Sequence, residues 1–474
     1  MDAAVHNNAS LSLPAHENTD FSVIEKAGMA LGHAPSGLLL PGIDRNTERE
    51  AVRLCARDYL EHHVFFNDDR FHNHLNHHLL AVFSMGGSAK RLQEIFDGNR
   101  SMQRPMLPMH QVDINAANFS EYLAKEERYP DYVAFFRKEL DAAGDDWHAV
   151  VAKYIFDPRV FPYFMSGAFH PFIQLGYGLE FESKAITAMA LAQTCVHIPG
   201  TEESYFPSAF EEMRKCLDDG SAADHSVMQI LDLLREERSA ADIEYKGFIF
   251  ARENTALGGK LAAKYGRLWT IATDEKTISA KYEELLSAIA LLYISMTRPG
   301  YKPALDFFVM HCLTSAYFLP IIFDILSTEQ KARLLHAHWI VVLEIYSLVG
   351  APQLYINPEY TAGDTYAVSK DLYGESAANP WLDVVKDAIN SDNIHVPKVI
   401  RALWRGNVLS SLQSKSSTER KTPLVNWLYI ARTTLDTITT SNFLESSDAK
   451  NKGKRSWDRG MLGYDQFWED HEKN

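Results

Sequence analysis

Four of the five histidine-bearing segments in this chain stand in apolar, helix-forming surroundings where an imidazole has no ready partner. The five are His72-Asn73-His74-Leu75-Asn76-His77-His78, Phe169-His170-Pro171, Met310-His311-Cys312, His336-Ala337-His338 and Ile394-His395-Val396-Pro397-Lys398. A neutral imidazole in a core costs free energy unless both ring nitrogens find partners. Several such residues from distant segments are most simply explained by convergence on a metal ion. Such convergence points to an enzyme rather than a scaffold.

The rest of the composition sets limits. At 474 residues the chain is long enough for two or three average domains or one large helical one. A net charge of -15 argues against nucleic acid and anionic membrane partners, which need basic patches. Cys55, Cys195, Cys216 and Cys312 are scattered without a CxxC pair, which fits a reducing compartment and no disulfide framework. No basic region followed by an apolar stretch opens the chain, so no signal peptide is expected and the cytoplasm is the expected location. The long apolar run at residues 307–323 is broken by His311, Thr314, Ser315 and Pro320, and reads as a buried core helix rather than a membrane span.

Residues 1–45 mix Asn, Ser, Pro and Gly without periodicity and read as a flexible leader, with one domain over 46–474. Helical patterns dominate that domain. Residues 46–64 open on an Asn-Thr-Glu-Arg-Glu start signal. Ser327 and Gln330 form a capping-box pair for a helix running to Val349, stopped by Gly350 and Pro352. Within it Leu334, Trp339, Val342, Tyr346 and Val349 recur at helical spacing. Residues 281–296 and 303–326 read as two further helices, with Arg298-Pro299-Gly300 between them. The best strand candidate, residues 245–250, is weak, and there is no internal repeat. Residues 440–456 read as an exposed polar loop, after which Trp457, Tyr464, Phe467 and Trp468 are expected to dock back on the body. The expected fold is all-α: one large helical domain with a buried metal site, with a two-lobed arrangement as the alternative.

Among the histidines, His74 and His78 stand four apart, which on a helix places them one turn apart with room for one ion. His72 and His77 are expected to point elsewhere. A histidine that merely caps or packs is the bland alternative at His77 and His78. His170 lies among glycines that allow close backbone approach, and is as readily a carbonyl-bonded structural residue as a ligand. His311 interrupts Phe307-Phe308-Val309-Met310 and should be buried in any helical register. His336 and His338 face about 200° apart and cannot both line one site. His395 and Lys398 stand three apart, with Pro397 marking a helix first turn; a lysine in that setting is usually solvated.

Several chemistries lack their signatures. No GxGxxG follows a strand, and GxxxxGK[ST], HExxH and GxSxG are all missing. Paired Glu-x-x-His motifs for a ferritin-like di-iron site are absent, and there is no Cys pair for structural zinc. Imidazoles with open coordination positions suit iron or zinc, and oxygen chemistry selects iron.

The same segments carry a resemblance. Phe71-His72-Asn73-His74 through His78-Leu79-Leu80, with Met85-Gly86-Gly87-Ser88, resembles the first block of the questin oxidase-like family of fungal polyketide pathways. Phe169-His170-Pro171 with Leu175-Gly176-Tyr177-Gly178-Leu179-Glu180-Phe181 resembles the second. Asp306 through His311 with Leu313-Thr314-Ser315 resembles the third, and His395-Val396-Pro397-Lys398 the fourth. Trp457-Asp458-Arg459-Gly460-Met461-Leu462-Gly463-Tyr464 is similar to the C-terminal signature. The blocks occur in order from about residue 50 onward.

The resemblance implies an all-helical oxygenase that opens the central ring of an anthraquinone to a benzophenone. It implies His74, His170, His311 and His395 as ligands to Fe(2+), with Lys398 beside them and O2 as co-substrate. Whether His74 or His78 is the ligand from the first cluster stays open. An ammonium at Lys398 would repel the ion, whereas burial depresses its pKa and a neutral amine can take up CO2. The carbamate so formed would be an oxygen ligand. Tyr177 and His78 are the candidates for orienting or deprotonating the substrate phenol. The rivals are a Baeyer–Villiger monooxygenase using NADPH, directly or through a partner reductase, and a non-catalytic helical protein that binds a polyketide.

Overall fold

Capping side chains begin the helices where the sequence supplies them. Asp44 accepts from the backbone N–H of Thr47 at 2.7 Å, and Asp306 accepts from Phe308 and Val309 at 2.8 and 2.9 Å. Ser327 and Gln330 form the complete reciprocal box. Each cap satisfies a donor that the first helical turn leaves without a partner.

In this computed structural model the described residues are 17–110, 112–197, 202–222, 224–240, 252–361, 379–411, 423–438 and 457–474. Among them the fold is all-α, with isolated bridges but no strand. The helices that matter most are α1 (Glu17–Ala27), α2 (Arg45–Glu61), α3 (Leu75–Ser84), α4 (Ser166–Glu180), α5 (Lys184–Val196), α6 (Glu275–Ser295), α7 (Phe307–Ala316), α8 (Leu319–Phe323), α9 (Thr328–Leu348) and α10 (Val396–Ser411). One continuous apolar core runs from Ala27 to Trp468 and joins them into a single unit. Helix α4 packs on α3, α5, α7 and α8, while α10 packs on α3, α6 and α7. No described helix is long and apolar enough to cross a membrane.

Two expectations are corrected. Residues 17–44, read as part of a flexible leader, form α1 and a strap docked on the body. Arg137 donates to the Ala27 carbonyl at 2.9 Å, and Gly32 and Ala34 donate to Phe181 and Glu180 carbonyls, each at 2.7 Å. Backbone hydrogen bonds to a distant helix end leave no periodicity to read. The single helix expected over 303–326 is two, α7 and α8, because Pro320 near the start of α8 lacks the N–H needed to continue from α7.

The C-terminal block docks as expected. Asp458 bridges backbone to Leu305 and Phe307, at 2.9 and 2.8 Å. Trp468 is buried and donates to the Leu462 carbonyl at 2.9 Å. A Cβ on Gly463 would lie 2.5 Å from the Val349 carbonyl oxygen, so only glycine lets the block approach the end of α9 this closely. The strand candidate at 245–250 and the loop at 440–456 lie outside the described residues.

Candidate metal centre

His74, His311 and His395 converge from three separate helices, with one ring nitrogen of each lying within 4.8 Å of the others. The nitrogens of one ion's ligands, at about 2.1 Å, span roughly 3 Å when adjacent and 4 Å when opposed. His170 joins this group pairwise: its Nε2 lies 2.9 Å from His74 Nε2, and its ring centroid 4.7 Å from that of His311. Among the described residues no carboxylate belongs to the group.

The positions of the four follow from helix starts. His74 is the N-cap of α3, and His395 immediately precedes α10. His311 is the fifth residue of α7. His170 follows a left-handed kink at Gly167, Ala168 and Phe169, whose φ values are 58°, 54° and 65°. Left-handed backbone at the two non-glycine residues costs on the order of 1–2 kcal/mol each. A Cβ on Gly167 would lie 2.5 Å from His197 Cε1 and 2.9 Å from His72 Cε1, so the kink has no space for a side chain there. The kink turns the Gly167 carbonyl onto His170 Nδ1.

Those second contacts fix the tautomers. A carbonyl can only accept, so His170 Nδ1 and His311 Nδ1 carry protons, the latter donated to Phe307 at 2.7 Å. Their Nε2 lone pairs are therefore free to face the centre. His311 Nε2 is buried with no hydrogen-bond partner among the described residues. Burial holds the imidazoles of His74, His170, His311 and His395 well below the ordinary value, with nearby Lys398 a further cause. Neutral imidazoles keep the lone pairs that a metal ion needs. The donor set thus fits a divalent ion with nitrogen preference.

Lys398 lies one turn beyond His395 and is 3% exposed. Burial pushes its pKa down to about 7. Its Nζ has no hydrogen-bond partner among the described residues. The electrostatic demand of the centre is accordingly for an anion.

The expectations for the first cluster need revision. His77, not His78, adds its ring to the group, 5.7 Å from His74 and 6.5 Å from His170. His72 stacks on His170 at 3.8 Å and meets His197 Nε2 to Nε2 at 2.9 Å. The i, i+4 pair does not share the site: His74 is the N-cap of α3 (φ -105°, ψ 4°), its carbonyl accepting from the His78 N–H at 2.9 Å, and it is the His74 ring that reaches His170 and His395. His78 is buried against Arg91 and Lys398, and burial brings its pKa to about 3. Tyr177 stacks on His77 at 5.1 Å, and burial raises its pKa, which keeps it a proton donor rather than a base. His336 and His338 bond to the Gly266 carbonyl and to Ser315, away from the centre. His197 and Gln174, which holds His77 at 2.6 Å, carried no sequence signal.

A family description, questin oxidase-like, matches residues 71–403, a span that contains every histidine of the centre. The chain belongs to the questin oxidase-like family. Among the relatives it resembles is the Baeyer-Villiger oxidase ptaJ of Pestalotiopsis fici, 28% identical over 431 residues, covering 87% of this chain and 91% of that one. A questin oxidase of Aspergillus terreus is 27% identical over 437 residues, 88% of this chain and 91% of its own. An oxidoreductase of Aspergillus parasiticus, AflY, is 28% identical over 415 residues, 84% and 80% of the two chains. The family match stops before the Trp457–Tyr464 block, which in this questin oxidase-like chain covers His395 through Trp457, their rings 6.5 Å apart.

Proposed function

We propose that this protein is a cytoplasmic non-haem iron oxygenase that opens the central ring of a reduced anthraquinone polyketide, such as reduced questin, to a benzophenone. The observation that carries this reading is the set of neutral, buried imidazoles on His74, His170, His311 and His395 in a chain whose relatives are named questin and Baeyer–Villiger oxidases.

Iron(II) held there would supply the single-electron chemistry that triplet O2 requires. The protein's own groups do the rest. His170 and His311 are locked in register by carbonyls, so the centre is preorganised. Phe307 packs edge-on to both His311 and His395, at 4.5 and 5.0 Å, and excludes water from that side. Tyr177, held as a phenol, orients an oxygen of the substrate by donating to it. Lys398, as the free amine, attacks CO2; an N–C bond forms, one proton leaves, and the neutral amine becomes the anion this centre lacks.

The atoms of the overall reaction balance without a further reductant. An anthrahydroquinone and O2 together contain every atom of the ring-opened hydroxybenzophenone carboxylic acid, one oxygen becoming phenol and the other carboxyl. The names of the relatives favour a second reading, in which the quinone, NADPH and O2 give a lactone that water then opens. Turnover of dithionite-reduced questin under 18O2 separates them. Two labelled oxygens without NADPH support the iron oxygenase; one labelled oxygen with strict NADPH dependence rejects it. A purified protein with no stoichiometric iron and no turnover would instead leave a polyketide-binding role.

A further inference from the structure

Phe307 stands between the two ligand-bearing segments at the starts of α7 and α10. Its carbonyl accepts from His311 Nδ1 at 2.7 Å, and its ring packs edge-on to both His311 and His395. What fixes Phe307 comes from far along the chain. Its N–H donates to the Asp458 carbonyl at 2.8 Å, and the Asp458 N–H donates to the Leu305 carbonyl at 2.9 Å. The residue before Phe307, Asp306, is fully buried and uses both carboxyl oxygens. Oδ1 accepts from the Phe308 and Val309 N–H groups that open α7, and Oδ2 accepts from the Gly460 N–H at 2.8 Å. Residues 458–460 therefore hold the turn whose carbonyl orients His311.

The neighbouring residue reaches the other segment. Trp457 Nε1 donates to Asn393 Oδ1 at 3.3 Å, and the same oxygen accepts from the His395 N–H at 3.0 Å. Asn393 and Trp457 are both buried. The His395 carbonyl in turn accepts from the Val399 N–H at 3.1 Å, so Asn393 sets the point at which α10 begins. The His311 and His395 ring centroids lie 5.3 Å apart. Packing of α7 on α10 brings these rings together, but a donor set for one ion tolerates errors of only about 0.5 Å. Four consecutive residues near the C-terminus thus touch both segments, at the peptide groups that place the two histidines.

We propose that Trp457, Asp458 and Gly460 are positioning residues of the metal centre, a brace that sets His311 and His395 in register for one ion. Trp457 acts through Asn393, while Asp458 and Gly460 act through Phe307 and Asp306; none of them is a ligand. The brace lies outside residues 71–403, the span that the family description matches. The inference rests on the metal ion of the function proposed above and is independent of the reaction assigned to it.

The test titrates the metal-free, full-length protein with Co(II), whose visible spectrum reports ligand number and geometry. Trp457→Phe keeps an aromatic ring and removes one N–H. It should bind Co(II) about tenfold more weakly or worse, with an altered spectrum. Asn393→Leu should do the same, whereas Asn393→Asp, which keeps an oxygen for both N–H groups, should bind as the wild type does. Trp427→Phe is the control for a structural effect. It loses an equivalent buried bond, to Ser410 at 2.8 Å near the far end of α10, and should melt lower without losing Co(II) affinity. Wild-type affinity and spectrum in Trp457→Phe, or an equal loss in Trp427→Phe, overturns the brace. A wild type that takes up no Co(II) overturns the metal centre and the brace together. Affinities that fall as expected, in a protein that never acts on reduced questin when loaded with iron, overturn the oxygenase reading alone.

Discussion

His74 and His170 meet Nε2 to Nε2 at 2.9 Å although 96 residues separate them in the chain. With His170 Nδ1 already donating to a carbonyl, its Nε2 presents a lone pair toward His74. Two imidazoles so placed need a proton or a cation between them. The separation matches adjacent ligands on one ion at about 2.1 Å.

Purified protein should accordingly carry close to one iron per chain. His74→Ala or His311→Ala should lower metal content and activity together, because losing a ligand removes affinity as well as geometry. His336→Ala, which removes a ring bonded to the Gly266 carbonyl away from the centre, should leave metal content unchanged. Elemental analysis of the three variants checks this, and full iron occupancy in His311→Ala would show that histidine to be structural.

Lys398 should behave as a carbamate. Its amine, brought to a pKa of about 7 by burial, is substantially neutral near physiological pH and can react with CO2. Metal loading in buffers stripped of CO2 and bicarbonate should give less active protein. Lys398→Ala should lose activity and regain part of it with short carboxylic acids. Lys398→Arg stays charged and cannot make this carbamate; full activity and iron content in that variant would sink the idea.

Asp306 should make stability fall as pH rises. Burial first, and then Asp458, raise its pKa well above the ordinary 3.8. A carboxyl with a raised folded pKa binds its proton more tightly in the native state. Its contribution is complete below the unfolded value and declines as pH climbs toward the folded one, by at most ~1.4 kcal/mol per pH unit for one proton. Denaturant unfolding between pH 4 and 8 should be less pH-dependent in Asp306→Asn, which keeps a capping side chain on α7. An unchanged pH slope in that variant would count against a native proton at this position.

Gly167→Ala should be costly. The substitution puts a side chain at φ 58° and drives a Cβ to 2.5 Å from His197. A loss of about 1–3 kcal/mol is expected, with weaker metal retention, since the same carbonyl orients His170. Calorimetry and metal analysis on that variant provide the check, and wild-type values for both would refute the role given to the kink.

The helices and the four separated histidines were legible because both signals are local. Caps, periodicity and an imidazole in an apolar run can each be read within a few residues. His72, His77 and His197 were not, since their place depends on where His74 leaves the helix and on a kink that only packing explains. The Glu180–Arg401 pair spans 221 residues, and each member alone looks like an ordinary surface charge. The strap over 28–44 escaped for a similar reason: its partners are backbone carbonyls at the far end of α4.

A centre whose histidines come from a helix cap, a kinked helix, a helix interior and a pre-helix position, spread from residue 74 to residue 395, forms only once those parts of the chain have packed together. An ion that binds only the finished arrangement stabilises it by mass action. With iron held there as proposed, its occupancy would report global integrity. A destabilising substitution far from the imidazoles, in the strap or the C-terminal block, should then register first as lost iron and only later as lost helix.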